Sequence, residues 1–274
     1  MLITEAYALR SYPGLNKLAN VSAAPFQLYV WPQRLLLLAS ACASNRHRHH
    51  AAQITFGLDG PVIFENPQTG VHQADLLLIP PDIPHAHPAF GAAVMLFLEP
   101  ESSDWARFSG HATGGLVPLS FESGLRCFAR PAAAGDAAAA QILVRHLLGQ
   151  DSTHNRSIDP VVSQACEEIR RRLNGLITLA DLAKAVGRSP SRLAHRFREA
   201  TGVPVRRFIL WRRLRAAAEI AMRGSNLTEA AHAAGFADSA HLSRTFRSMF
   251  GIAPSFLFRR GQLDVTFLET ATSG

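Results

Sequence analysis

The first hundred residues of the chain alternate short apolar runs with turn-forming residues. Runs of Val, Ile, Leu and Phe recur at regular intervals between Phe26 and Leu98, and Pro or Gly lies in nearly every gap. Runs of this length and spacing are typical of strands in an all-β sandwich or barrel. The predicted strands cover residues 26–31, 34–39, 53–58, 61–64, 74–79 and 92–98.

The apolar spacing becomes helical after residue 136. Helix-forming residues with an apolar stripe predict a helix over 137–148, which could pair with a second copy of itself in a homodimer. The polar residues 149–158 are typical of an inter-domain linker. Beyond them we predict a helix that starts at Pro160, with Asp159 as its N-cap, and a longer helix over 204–222.

The helical half repeats one helix-turn-helix pattern. The first copy starts at Leu179 and the second at Leu227, 48 residues later. Each copy has an Ala-rich first helix, a Gly where the chain reverses, and a second helix with apolar positions at i and i+4. Such a tandem suits two neighbouring turns of DNA major groove, and a connecting helix of about 28 Å is comparable to the roughly 34 Å of one DNA turn.

Charge is divided unevenly along the chain. Residues 1–159 contain 10 Lys and Arg against 12 Asp and Glu, whereas residues 160–262 contain 18 against 7. A net charge of +11 in this second region is typical of a surface that displaces counterions from phosphate. On the connecting helix we expect five arginines to face solvent or phosphate: Arg206, Arg207, Arg212, Arg213 and Arg215.

Cysteine usage and apolar segments indicate where the protein works. Cys42, Cys127 and Cys166 are odd in number and lack paired spacing, which argues against a disulfide framework. The N-terminal residues do not have the pattern of a signal peptide, and the apolar stretch 35–43 is shorter than the about 20 residues that span a bilayer. We therefore expect a cytoplasmic protein.

The second repeat carries a family signature. Residues 235–254, GFADSAHLSRTFRSMFGIAP, resemble the signature of AraC/XylS-type transcriptional regulators, and the resemblance extends over about 160–260. The chain departs from the family pattern at four places, where the family commonly has Ser, Tyr, Pro and Arg: Ala240, Leu257, Val205 and His195. The resemblance implies two DNA-recognition helices with Leu193, Phe197, Leu242 and Phe246 on their inward faces. It implies DNA contacts from Ser191, Arg192, His195, Arg196, Ser239, His241, Ser243, Arg244 and Arg247.

Histidines cluster in the N-terminal half, where six of the 12 lie between His47 and His87. Their spacing resembles the two motifs of cupins, with Gln in place of the usual Glu in the first motif. The resemblance implies a cupin-like jelly roll with a candidate divalent transition-metal site, since imidazole suits Zn, Ni, Cu or Fe. The alternative is a solvated rim with no metal. The candidate ligands are His47, His49, Gln53 and His85.

Fold and function follow from these two halves. We predict an α+β chain that joins a cupin-like effector-binding and dimerisation domain to a helical DNA-binding domain. The leading hypothesis is a non-enzymatic, sequence-specific regulator that binds promoter DNA under the control of a small molecule or metal in the barrel, with RNA polymerase as a further partner. The alternatives are a metal-dependent cupin enzyme with a DNA-binding appendage and a non-specific DNA-compacting protein. The predicted segments are 1–148, 149–158, 159–262 and a C-terminal tail, 263–274.

Overall fold

The computed structural model describes residues 26–39, 43–88, 91–111, 114–120, 124–149, 159–258 and 262–269. The predicted linker lies outside the described residues, apart from Gly149, and so does Cys42. Cys127 and Cys166 are free thiols. Within the described ranges, none of the helices has the length and apolar character needed to cross a membrane.

Strands form the N-terminal domain. They are β1 (Phe26–Trp31), β2 (Arg34–Ala39), β3 (Ser44–His47), β4 (Ala52–Gly57), β5 (Val62–Asn66), β6 (Gly70–Ala74), β7 (Leu76–Ile79), β8 (His85–His87), β9 (Ala93–Leu98), β10 (Val117–Pro118) and, from the end of the chain, β11 (Leu263–Phe267). One sheet has the order β10-β7-β4-β9-β2-β1-β11 and the other β3-β8-β5-β6. Among the described strands no pairing joins the two sheets, so the hydrogen-bonded ring of a closed barrel is not complete.

The predicted strands 26–31 and 34–39 are confirmed, and the predicted run 74–79 is two strands that meet at Asp75. The short strands β3 and β8 were missed because their polar, histidine-rich sequences lack an apolar run. These two strands pair with each other, with His47 opposite His85.

Three helices pack on the larger sheet: α1 (Ser103–Phe108), α2 (Leu125–Ala133) and α3 (Ala137–Leu147). The predicted helix over 137–148 corresponds to α3. Its residues Leu143, Val144 and Leu147 are buried in the core of the N-terminal domain. The stripe expected to pair with a second copy is thus largely covered by the chain itself, and a dimer through α3 would have to use its outer face.

Helices form the C-terminal domain: α4 (Pro160–Arg171), α5 (Leu179–Ala185), α6 (Pro190–Thr201), α7 (Val205–Met222), α8 (Leu227–Ala233), α9 (Ser239–Phe250) and α10 (Pro254–Leu257). The two repeats have equal helix lengths, with 7 residues in α5 and α8 and 12 in α6 and α9. Gly202 and Gly251 end the two longer helices in the left-handed conformation, which glycine adopts without a steric penalty. The fold is therefore α+β, as predicted.

The predicted inward faces of the two repeats are confirmed. Leu193 and Phe197 are fully buried in one cluster with α4, α5 and the start of α7. Leu242 and Phe246 are buried in another cluster, which also includes Phe97 from the N-terminal sheet. A single hydrophobic core thus continues from the sheet into the second repeat.

The chain returns to the N-terminal domain at its end. Strand β11 pairs in parallel with β1, with Phe26 opposite Leu263 and Val30 opposite Phe267. The Arg223 guanidinium, just after α7, lies 3.9 Å from the ring centre of Phe267. Residues 263–267, which the sequence analysis placed in a tail, are part of the larger sheet. The strand was missed because a five-residue segment at the end of a helical region gives no period that distinguishes it from a tail.

Candidate DNA-binding face and histidine site

The first recognition helix, α6, presents a polar face opposite its buried Leu and Phe. The hydroxyl of Ser189 caps the helix by accepting a hydrogen bond from the Arg192 backbone N–H at 3.4 Å, and Pro190 occupies the first turn. Ser191, Arg192 and His195 are exposed. Their polar groups are therefore available to a ligand.

Arg196 is held by the protein. Its Nη2 lies 2.6 Å from Oδ2 of Asp159, the residue that caps α4. Burial disfavours the ionised carboxylate of Asp159, but hydrogen bonds from Arg196 and the helix backbone outweigh this effect and lower its pKa. Arg196 is thus partly withdrawn from the face on which the sequence analysis placed it.

The second recognition helix, α9, has the same construction. Asp238 caps it, with Oδ1 accepting a hydrogen bond from the His241 backbone N–H at 2.6 Å. Arg244 and Arg247 are exposed, whereas Ser239, His241 and Ser243 are half-buried. The His241 ring lies edge-on to Phe236 at a centroid distance of 5.1 Å. As DNA contacts, all nine residues remain predictions.

The arginines of the connecting helix α7 lie against the protein, with one exception. Arg207 pairs with Asp82, and Arg213 donates to the carbonyl oxygens of Leu173 at 2.9 Å and Gly175 at 2.7 Å. Only Arg206 of the predicted five is exposed. For the other four the expectation that they face solvent or phosphate is wrong, because neighbouring carboxylates and carbonyl groups are their partners.

A buried ion cluster joins α7 to the end of β9. Glu99 accepts hydrogen bonds from Arg215, from Trp211 Nε1 at 2.8 Å and from Arg212 Nη1 at 3.2 Å. Arg212 also lies 3.3 Å from Glu101. These five side chains are mostly or fully buried, so the contact is a desolvated junction between the two domains.

The two carboxylates of this cluster have opposite pKa shifts. Burial disfavours ionised Glu99, but the charges of Arg215 and Arg212 outweigh burial and lower its pKa. Burial and the neighbouring Glu99 raise the pKa of Glu101 to about 7. Glu101 Oε2 is also buried and has no hydrogen-bond partner within the described part of the chain.

The candidate metal ligands come together in the N-terminal domain. One ring nitrogen from each of His47, His49 and His85 lies within 4.8 Å of the others, and all three residues are buried. Gln53 joins them, with Oε1 2.8 Å from His49 Nε2. These three rings do not lie on a solvated rim, because His47, His49 and His85 are 7%, 1% and 0% exposed.

Backbone carbonyls orient the three imidazoles. Nδ1 of His47, His49 and His85 lies 2.8 Å from the carbonyl oxygen of Asn45, Ala51 and Ile83, respectively. Each carbonyl requires an N–H at Nδ1, so the lone pair of a neutral ring lies on Nε2. Burial lowers the pKa of His47 to about 3 and holds the pKa values of His49 and His85 below the ordinary value.

This arrangement fits a divalent transition metal. Such ions are coordinated by neutral imidazoles whose Nε2 lone pairs are directed at the same point. His85 Nε2 is buried without a hydrogen-bond partner among the described residues. With its proton on Nδ1, His49 has an acceptor at Nε2, and this atom lies 2.8 Å from Gln53 Oε1, which is also an acceptor. Two acceptors at this distance require either a cation between them or a Gln53 side-chain amide rotated by 180°.

An apolar cavity of about 110 Å³ lies between the sheet and the helices. Strands β1, β2 and β9 line one side, and α7, α9 and α10 line the other. Its walls include Phe26, Leu37, Met95, Phe97, Trp211, Phe246, Phe250 and Phe258, with Arg215, Glu219 and His87 among the few polar side chains. This cavity could not be predicted from the sequence, because it forms only where the two domains meet.

Comparison with known proteins finds sequence relatives of the C-terminal domain. A helix-turn-helix domain family matches residues 182–260. Over 85 residues the chain is 38% identical to transcriptional activator NphR from Rhodococcus sp, and over 89 residues it is 33% identical to transcriptional activator RhrA from Rhizobium meliloti (strain 1021). Each alignment covers 31% of this chain, and 25% and 28% of the two relatives, respectively. The chain thus spans about a quarter of the length of the curated relatives it matches.

The fold as a whole is similar to solved structures of ToxT from Vibrio cholerae. An apo structure from strain SCE256 has a TM-score of 0.58 at 14% identity and covers 82% of this chain and 97% of ToxT. A structure of unsaturated fatty acid bound ToxT has a TM-score of 0.52 at 13% identity and covers 83% and 95%.

These findings define the C-terminal domain as a tandem helix-turn-helix domain. The segment that resembles the AraC/XylS-type signature, residues 235–254, lies within the matched residues. The remaining strands and helices share the fold of ToxT.

Proposed function

We propose that the protein is a sequence-specific DNA-binding transcriptional regulator whose promoter binding is modulated by a small molecule or metal in the N-terminal domain. One observation carries the proposal: two equal recognition helices with buried Phe residues and exposed Arg residues are connected by α7, which is fixed to a second domain. The two relatives named as transcriptional activators support the regulatory role and make RNA polymerase a further proposed partner.

A mobility-shift assay on the DNA upstream of the gene tests this proposal. With competitor DNA present and salt varied, a regulator should prefer its own site by about 10³-fold or more over random duplex. A preference near unity would overturn sequence-specific regulation and favour non-specific compaction.

We propose that His47, His49, Gln53 and His85 hold a divalent transition metal. Such an ion would cross-link β3, the start of β4 and β8, and so fix the segments that carry the four ligands. Elemental analysis of protein purified without an affinity tag should give about one equivalent of metal in the wild type and none in His85→Ala. No stoichiometric metal in the wild type would end this part of the proposal.

We propose that the small molecule binds to the larger sheet of the N-terminal domain, in the apolar cavity that this sheet forms with α7, α9 and α10. The structure of ToxT with a bound unsaturated fatty acid supports the proposal, since that protein has a similar fold. The lining here favours a small, mostly apolar molecule. Met95→Trp should fill the cavity and abolish any effect of the ligand on DNA binding. An unchanged ligand response would place the effector elsewhere.

The histidine site does not favour the alternative function, a cupin enzyme. A catalytic metal needs an open coordination position and a path for substrate. His85 is 0% exposed, His49 is 1% exposed and the Phe97 ring packs 5.4 Å from His49. We therefore assign the site to sensing and not to turnover. Metal-dependent consumption of a co-supplied organic substrate by the loaded protein would reverse this assignment.

Homodimerisation through the N-terminal domain stays part of the proposal. Because the apolar stripe of α3 is covered, its exposed residues Gln141 and Arg145 would form the contact. Sedimentation should give a dimer that Arg145→Glu converts to monomer. A monomeric wild type at micromolar concentration would overturn the dimer.

A further inference from the structure

The segment that carries His47 supports the end of the second recognition helix. Gly251, which ends α9 in the left-handed conformation, lies directly against β3. A methyl group on Gly251 would overlap the carbonyl oxygen of Asn45 and stand 2.9 Å from His47 Nδ1. These are the two atoms of the hydrogen bond that orients the His47 ring. The end of α9 and the orientation of this candidate ligand are therefore fixed by the same contact.

The neighbouring residue Phe250 extends this contact into the core. Its ring lies 6.3 Å from that of His49 and 6.2 Å from that of Phe97. On its other side it packs 4.8 Å from Phe246, which anchors α9, and 5.9 Å from Trp211 on α7. Phe250 therefore contacts both the His49 ring and the aromatic residues that anchor α9.

A second histidine-bearing segment contacts the first repeat. Asp82 lies between His49 and His85: its N–H donates to the His49 carbonyl oxygen at 2.9 Å, and its carboxylate pairs with Arg207 at the start of α7. Asp82 adopts φ +65°, which is uncommon for a residue other than glycine. One residue earlier, Pro81 lies beside Gly202, the left-handed end of α6.

We propose that metal binding at His47, His49, Gln53 and His85 stabilises the docking of both repeats on the N-terminal domain, through Gly251 and Arg207. The inference depends on the metal site proposed above and adds how that site acts. A metal fixes each Nε2 at about 2.0–2.1 Å from one point, which holds the Asn45–His47 and Pro81–Asp82 segments in the positions that the repeats contact. Coupling is reciprocal, so loosening the docked contact must weaken metal affinity.

The main test is a titration of the metal-free full-length protein with Zn²⁺, and separately with Ni²⁺, by calorimetry. Gly251→Ala should weaken metal affinity by about fivefold or more, although Gly251 is not a ligand. The matched control is Gly187→Ala, which also places alanine at a left-handed position, with φ +62°. Its new methyl group would have no neighbouring atom within 4 Å, so metal affinity should stay within twofold of the wild type.

A second pair of variants avoids backbone strain. Arg207→Gln removes the pair with Asp82 from a half-exposed position and should weaken metal affinity by about threefold to tenfold. Arg206→Gln removes the same charge from the exposed neighbour on α7 and should leave metal affinity unchanged. Hydrogen exchange supplies an independent readout: metal should slow amide exchange at the end of α9 in the wild type.

The outcomes are distinguishable. A wild-type chain that binds neither metal overturns the metal site, and the coupling falls with it, whereas sequence-specific DNA binding would stand. A wild type that binds metal, with folded Gly251→Ala and Arg207→Gln variants of equal affinity, overturns the coupling alone. Loss of affinity in Gly251→Ala and Arg207→Gln, with both controls unchanged, supports it.

Discussion

The arginines of the connecting helix and those of the recognition helices have different surroundings. On α7, Arg212 and Arg215 are held by Glu99 and Glu101 in a buried cluster between the domains. On α6 and α9, Arg192, Arg244 and Arg247 are exposed. Each of these arginines adds the same single positive charge to this half of the chain, so net charge alone does not locate a DNA-binding face.

The comparison separates two uses of the same side chain. A desolvated arginine with carboxylate partners fixes one domain against another, and removing it leaves an uncompensated buried charge. An exposed arginine contributes little to folding and remains free for phosphate or guanine. Substitutions in the first group should therefore change stability, and those in the second should change DNA affinity.

Arg215→Leu should have the largest effect. It removes the main partner of Glu99 and should lower the free energy of unfolding by about 3 to 5 kcal/mol, measured by urea denaturation. The control is Arg206→Leu, at an exposed position on the same helix, which should change the free energy of unfolding by less than about 0.5 kcal/mol. Equal effects of the two variants would contradict the distinction.

Glu101→Gln tests the buried cluster through pH. The pKa of Glu101 is raised to about 7 in the folded state, so native protein retains a proton that the unfolded chain releases near 4.5, and wild-type stability falls as pH rises between these values. The variant should be more stable than wild type by about 1 to 3 kcal/mol at pH 8 and similar to it below pH 4.5. A pH-independent difference in thermal unfolding would show that Glu101 does not titrate in this window.

Arg244→Ala should weaken specific DNA binding by about 1 to 3 kcal/mol and leave the unfolding free energy unchanged. If Arg244 contacts a base, the base preference at one operator position should relax. If it contacts phosphate, affinity should fall evenly across sequences, and the slope of log affinity against log salt concentration should decrease in magnitude by about one. Fluorescence anisotropy with a set of single-base operator variants distinguishes these cases. Unchanged affinity at moderate salt would remove Arg244 from the binding face.

Asp159→Asn should have the smallest effect. Asn retains the N-cap of α4 but loses the charge that pairs with Arg196, and this partly exposed ion pair contributes about 0.2 to 1 kcal/mol to stability. Because Arg196 is released, DNA affinity should not fall. A loss as large as that of Arg244→Ala would show that the pair positions α6 for DNA.

Features that depend on local sequence pattern could be predicted from the sequence, whereas side-chain partners that depend on tertiary contacts could not. The repeats, the buried Leu193 and Phe246, and strands β1 and β2 follow from periodicity. The histidine spacing also predicted that the four candidate ligands lie close together. The partners of Arg215 could not be predicted, because Glu99 lies 116 positions away in the chain. The contact of Gly251 with β3 could not be predicted either, because a glycine at the end of a helix is already explained by the left-handed cap.

Footprinting of the wild type on its own upstream DNA tests the central claim most directly. Two recognition helices connected by α7 should protect two major-groove segments centred about 10 to 10.5 base pairs apart, on one face of the duplex. Arg244→Ala should weaken protection of one segment only. A single protected segment, or uniform protection along the duplex, would contradict the account.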